Sequence, residues 1–345
     1  MSDDGSRPGD TMRERSEGSA LKHWFLLNAN RWLVAGALMV FVFGGLLALS
    51  ALSPVSLRAL MGEKEPVHTL FQALVTALIT GVTLVVTINQ LVLSQELGAV
   101  SDQRERLEGS MAFRQDVEDV IDAPVGPPEP ASFLQAIVAA SADRALDFRD
   151  VVEARRDEAF RERVDDFVDN LTTHADAVCE ELDDAQFGTY EVLKAALDYN
   201  YSWKIFRARR LETTHTDEFD DEVRDAYDEL LESLELFGLA REHFKTLYFQ
   251  WELINLSRAM MYIAVPALVV AASMILFFDT GAVSGTVLGI DTLVWTVAAA
   301  TTVAVSPFLV LIAFVLRIAT MAKRTLAIGP FILRESGRGE EIDWE

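Results

Sequence analysis

Eight polar side chains recur along one otherwise apolar stretch between Pro66 and Glu96: Thr69, Gln72, Thr76, Thr80, Thr83, Thr87, Gln90 and Ser94. Hydroxyl and amide oxygens of this kind can replace part of the water around an ion. No Asp, Glu, Lys or Arg lies between the two ends, so such a lining works without fixed charge. The residues follow one another at steps of three, four, four, three, four, three and four, which keeps them on one face of a helix. At about 1.5 Å per residue that helix is long enough to cross a ~30 Å hydrocarbon core. Lipid cannot satisfy the polar face, which must therefore meet other helices or water. Two readings compete. In one, the hydroxyls bond back to their own carbonyls and the face packs against the other spans. In the other, the face lines a pore, with Leu78, Val82 and Val86 flanking it as a candidate gate that a small helix rotation brings inward. The continuity of the stripe, the size of Gln72 and Gln90, and the run of the same helix into the soluble part favour the pore.

Three further stretches are apolar enough to span: Trp32–Leu52, Met260–Phe278 and roughly Leu293–Leu316. Residues 1–20 are polar and lack the short apolar core of a cleavable signal, so they read as a disordered cytoplasmic N-terminus. Leu21–Trp32, with Trp24, Phe25 and Trp32 beside Lys22 and Arg31, reads as an interfacial helix. The loop after the first span holds only Arg58 and Lys64, and the loop between spans three and four holds no basic residue. The positive-inside rule therefore puts both termini and the central segment in the cytoplasm of a multi-pass cell-membrane protein.

The soluble part, residues 97–257, carries helical periodicity throughout. Apolar positions from Leu93 to Ile121 extend the striped helix up to the proline-rich Asp122–Pro130. A helix is expected over Ala131 to about Leu182, an aromatic-rich one from Tyr190 to about Leu211, and a third that starts at a Thr216 cap and runs into span three. The fold class is thus an all-α membrane protein: four transmembrane helices arranged 2+2, with a cytoplasmic helical bundle between spans two and three. Residues 21–96 hold the interfacial helix and spans one and two, 258–318 hold spans three and four, and 319–345 form a cytoplasmic tail with a short apolar piece, Thr325–Leu333. Pro266 and Pro307 fall inside spans three and four, where proline is common.

The net charge of −23 is concentrated: Leu97 to Arg258 holds 38 Asp and Glu against 18 Lys and Arg. With 24 Arg against 6 Lys and abundant Asp, the composition resembles that of halophilic archaeal proteins, whose acidic surfaces stay solvated in concentrated salt. No basic stripe exists to meet nucleic acid. Phosphate loops, dinucleotide fingerprints and hydrolase or metalloprotease motifs are absent from the sequence, so neither an enzyme nor a cofactor is expected. Cys179 is the only cysteine, and the five histidines, His23, His68, His174, His215 and His243, are scattered. The acid runs Glu180–Asp184 and Asp217–Glu222 fit no metal loop and read as solvated faces.

Two spans, a cytoplasmic insert, two more spans and a pore-lining second span, with the string Val82-Thr83-Leu84-Val85-Val86-Thr87, resemble the bestrophin and bestrophin-like channels. The family's aromatic neck residues are replaced here by Thr and aliphatics, and no family site residue carries over. The resemblance implies a homo-oligomer, a pentamer, that conducts anions across the bilayer. The expectation is a homo-oligomeric ion channel lined by the second span, with inorganic ions as cargo. The alternative is a membrane-anchored scaffold or sensor whose cytoplasmic helices bind a protein partner.

Overall fold

The computed structural model describes residues 30–52, 64–96, 98–183, 185 and 190–325. The polar N-terminus, most of the expected interfacial helix and, apart from Thr325 itself, the Thr325–Leu333 piece lie outside them. The described chain is all-helical apart from short connections and one small hairpin, and four of its helices are long and apolar enough to cross a membrane. Its described residues divide into two compact units, one over Gly98–Phe249 and one that joins residues 30–96 with Gln250–Lys323.

The polar unit is built on α3 (Val100–Val120), α4 (Pro130–Glu153), α5 (Glu158–Asp183), α6 (Tyr190–Asp198), α7 (Tyr201–Thr214) and the first part of α8 (Asp221–Leu276). The single run expected from Ala131 to Leu182 is in fact two helices. Asp157 ends the first connection and caps α5, accepting the Ala159 and Phe160 N–H groups at 2.9 and 3.2 Å. The pair folds back on itself, since Arg149 meets Asp169 near the turn and Gln135 meets Asp183 far from it. The same reasoning sets α7 antiparallel to α5, through His174–Lys204 and Arg163–His215, and α8 antiparallel to α4, through Arg144–Glu229 and Arg155–Asp220. The result is an up-down-up-down arrangement around Phe148, Phe160, Phe167, Tyr199, Tyr227 and Phe237, all fully buried. The Tyr190–Leu211 helix also splits, at Tyr199–Asn200. Thr216 does not cap the long helix. It begins a short 3₁₀ turn, and Asp220 accepts the Val223 N–H at 3.1 Å instead.

The apolar unit holds α1 (Arg31–Leu52), α2 (Lys64–Glu96), the remainder of α8 and α9 (Thr292–Thr325). The fourth helix is the most enclosed: half of its apolar window is buried, against 11% for α1. Alanines one turn apart, Ala267 and Ala271 on α8 and Ala300 and Ala304 on α9, line the contact together with Val67, Phe71 and Leu78 of α2. Gly81 is required here, because a Cβ in its place would stand 2.8 Å from the Phe308 ring. Pro266 and Pro307 both sit inside continuous helices. Pro307 deprives the Val303 carbonyl of its helical donor, and the Ser306 hydroxyl donates to that oxygen at 2.7 Å. A hairpin of β1 (Thr286–Val287) and β2 (Ile290–Asp291) turns through Leu288 and Gly289, both at positive φ, and joins α8 to α9.

The extension of the striped helix into the soluble part is not observed as one element. Helix α2 ends at Glu96, Ala99 is extended with φ −60° and ψ 156°, and α3 begins anew at Val100. Gly98, which lies between the two helices, is a poor helix former.

Candidate functional site

Every residue of the stripe is exposed: Thr69, Gln72, Thr76, Thr80, Thr83, Thr87, Gln90 and Ser94 all lie on the side of α2 that its own unit leaves uncovered. At about 3.6 residues per turn they fall within an arc of roughly 80°. The packed face, carrying Val67, Phe71, Leu78 and Val85, lies opposite. Of the candidate gate residues, Leu78 is fully buried in the cluster with α8 and α9, while Val82 and Val86 are half-buried between the two faces. Bringing Leu78 into the stripe would require unpacking it.

The hydroxyl hydrogens are committed. Thr76 donates to the Gln72 carbonyl at 3.1 Å, Thr80 to Thr76 at 2.9 Å, Thr83 to Ile79 at 2.8 Å and Thr87 to Thr83 at 2.9 Å. Ser94 donates to Leu91 at 2.7 Å. Each such oxygen therefore turns only lone pairs outward, and Thr76, Thr80, Thr83 and Thr87 form a row of acceptors. The hydroxyls are back-bonded as the packing interpretation expects, but among the described residues no helix covers the face. The Gln72 and Gln90 amides have no hydrogen-bond partner among the described residues.

One charged element of the apolar unit escaped sequence reasoning. Arg31, read only as an orientation signal, reaches Glu252 at 2.5 Å and stacks on the Phe314 ring at 5.1 Å. The Glu252 side chain is 3% exposed. The pair ties the first turn of α1 to α8, next to the cluster of Val34, Ala35, Val85, Leu256, Met260 and Phe314. Glu252 stands among Trp251, Leu253 and Ile254, and a lone acid in such a run is the one signal that could have revealed it.

The polar unit contains a second buried constellation. Ser141 of α4 shares a 2.6 Å hydrogen bond with the Tyr199 hydroxyl, His174 Nδ1 lies 2.9 Å from Lys204 Nζ, and Lys204 stands over the Tyr199 ring at 4.9 Å. Burial pushes the Tyr199 phenol up, so it stays protonated. The network joins α4, α5 and α7 across 30 and 58 residues of sequence, which is why no local spacing announces it. Cys179 is half-buried against the same core, and burial together with Asp176 and Asp183 raises its thiol to about 11. The acid runs are dispersed into separate contacts: Glu181 pairs with Lys194, Asp220 and Glu222 pair with Arg155, and Asp183 accepts a hydrogen bond from the Gln135 amide. No group of three potential metal ligands converges among the described residues.

Four helices long and apolar enough to span a bilayer, one bearing an uncovered polar face, define an all-helical chain suited to membrane association. The chain belongs to a family of unknown function (DUF7972), whose model matches residues 1–345. No curated protein and no solved structure matches it.

Proposed function

We propose that the protein is a homo-oligomeric ion channel of the cell membrane in which α2 of each copy lines the pore. The observation that carries this reading is the complete exposure of the stripe on the side of α2 opposite its packed face. Back-bonded threonines alone could face lipid, because their hydrogens are already satisfied. Unpartnered Gln72 and Gln90 amides could not without a cost of several kcal/mol, on the order expected for an amide in hydrocarbon. Repeating α2 around a symmetry axis gives all eight residues water and ions to face. The layout is 2+2, with the polar unit and both termini in the cytoplasm, following the asymmetry of Arg and Lys between loops.

The resemblance to bestrophin-like channels implies anions and a pentamer. The acceptor-only hydroxyls and the acidic polar unit favour cations, which lone pairs solvate and negative charge concentrates. Purified protein in liposomes is expected to conduct, with a reversal potential in a KCl gradient on the cation side. Cysteines at Thr76, Thr80 and Thr83 should react with a water-soluble thiol reagent and block the current, while one at Leu78 stays protected. Uniform protection of the stripe, or assembly without conductance, overturns the channel in favour of a membrane-anchored scaffold.

A further inference from the structure

We propose that the exposed half of α3 is a contact surface for a second copy of this chain, a collar of helices in which each copy's α3 meets its neighbour's. From Val100 to Ala112 every residue of α3 is exposed, and only Val117 and Val120 at its far end are buried. The uncovered part is not uniformly polar. Val100, Leu107 and Met111, exposed by 82%, 63% and 49%, are spaced by seven and four residues and form one apolar seam.

Little within the chain accounts for this segment being helical. Its start has no side-chain cap, Gly109 interrupts it with nothing nearby, and its exposed part falls at or below the length at which an isolated helix is marginal in water. Exposed pairs such as Arg104 with Glu108 at 2.6 Å add little to its stability. A covering partner supplies what is missing.

Charge identifies that partner. The polar unit is strongly acidic, and copies of it repel one another. Between Val100 and Ala112 the balance differs: Asp102, Glu105 and Glu108 stand against Arg104 and Arg106, a net charge of only −1. The seam is flanked on one side by the internally neutralised Arg104–Glu108 pair and on the other by Gln103 and Ser110. An acidic chain can meet a second acidic copy here without bringing like charges together.

The inference rests on the channel reading in one respect. If α2 lies at a symmetry axis, the three residues between Glu96 and Val100 allow at most about 14 Å of chain, so every copy's α3 begins close to that axis. Tethering then replaces affinity, and a short seam suffices.

The test is cysteine cross-linking of the full chain in liposomes, with wild type as the control because the Cys179 thiol ionises poorly. Leu107→Cys is expected to give covalent dimer roughly tenfold faster than Asp102→Cys on the opposite side of α3, the advantage of a held, facing pair. Thr83→Cys, measured in parallel, reports on α2. Cross-linking at Thr83 with Leu107 no faster than Asp102 overturns the α3 contact and leaves the α2 assembly standing. Cross-linking at Leu107 without Thr83 keeps the contact and removes the pore. No cross-link at either position, with single protomers counted in the liposomes, removes both.

Discussion

Arg31 and Glu252 set the terms at the scale of single residues. Burying a side-chain carboxyl to 3% exposure is costly unless a cation reaches it. Arg31→Ala is therefore expected to destabilise the apolar unit by about 3 kcal/mol, the usual cost of orphaning a buried charge. Glu252→Gln should cost less, because a neutral amide needs less compensation. Thermal unfolding of both single variants and the double variant in detergent checks this, with the double expected to lose less than the sum of the singles. Glu252 stands out as a lone acid in an apolar run, but its pairing with Arg31 is not legible in sequence, since 221 positions separate them. By contrast the stripe of α2 is written into the sequence in full, because helical periodicity is a local property.

Among elements, the α2–α9 contact depends on one glycine. Adding side-chain atoms at Gly81 drives them into the Phe308 ring, with the first carbon already 2.8 Å away. Gly81→Val is expected to cost about 1–3 kcal/mol by overpacking, read as a fall in melting temperature, with partial rescue by Phe308→Ala. A residue-specific contact of this kind does not follow from a hydropathy profile, in which Gly81 is one more small residue in a span. Element boundaries were legible unevenly. The span positions follow from apolar length, and the fusion of the helix of the polar unit with the third span in α8 follows from the near-absence of a breaker between Phe219 and Ile254. The break at Asp157 was locally encoded as a cap with Glu158 after it, but continuous apolar spacing on either side concealed it. The break after Glu96 was concealed in the same way, because Leu93, Leu97 and Val100 keep the helical rhythm across a Gly98-Ala99 pair that leaves it.

For the whole molecule, the acidic composition governs behaviour with pH. Burial pulls the Glu242 carboxyl up, yet Lys245 and Arg241 beside it more than offset this and hold it below the ordinary value. Asp220 is held low by the Val223 N–H and by Arg155. For Glu129 burial raises the carboxyl, and the Ser132 N–H and its neighbours lower it further than that. A carboxyl depressed in the folded state contributes stability above its unfolded value and loses it as pH falls through the folded one. Stability of the polar unit is thus expected to hold from pH 7 to about 5 and to decline below about 4.5. Glu242→Gln should flatten that acid slope, as followed by circular dichroism of the full chain. The halophile-like composition and the channel-like layout are whole-chain expectations of the sequence, and conductance and cross-linking are the measurements that test the second.

What the sequence determined by itself is whatever depends on neighbours within a few turns: the all-helical class, four apolar helices, and a polar stripe confined to one side of the second. What only the tertiary structure decided is which side each helix turns to its own chain. The Thr and Gln face of α2 is left open because the opposite face, with Phe71, Leu78 and Gly81, fits the alanines of α8 and α9 and the ring of Phe308. The ion pair at Glu252 and the buried Ser141–Tyr199 and His174–Lys204 contacts were decided in the same way, because packing brings together residues whose separation along the chain carries no periodic signal.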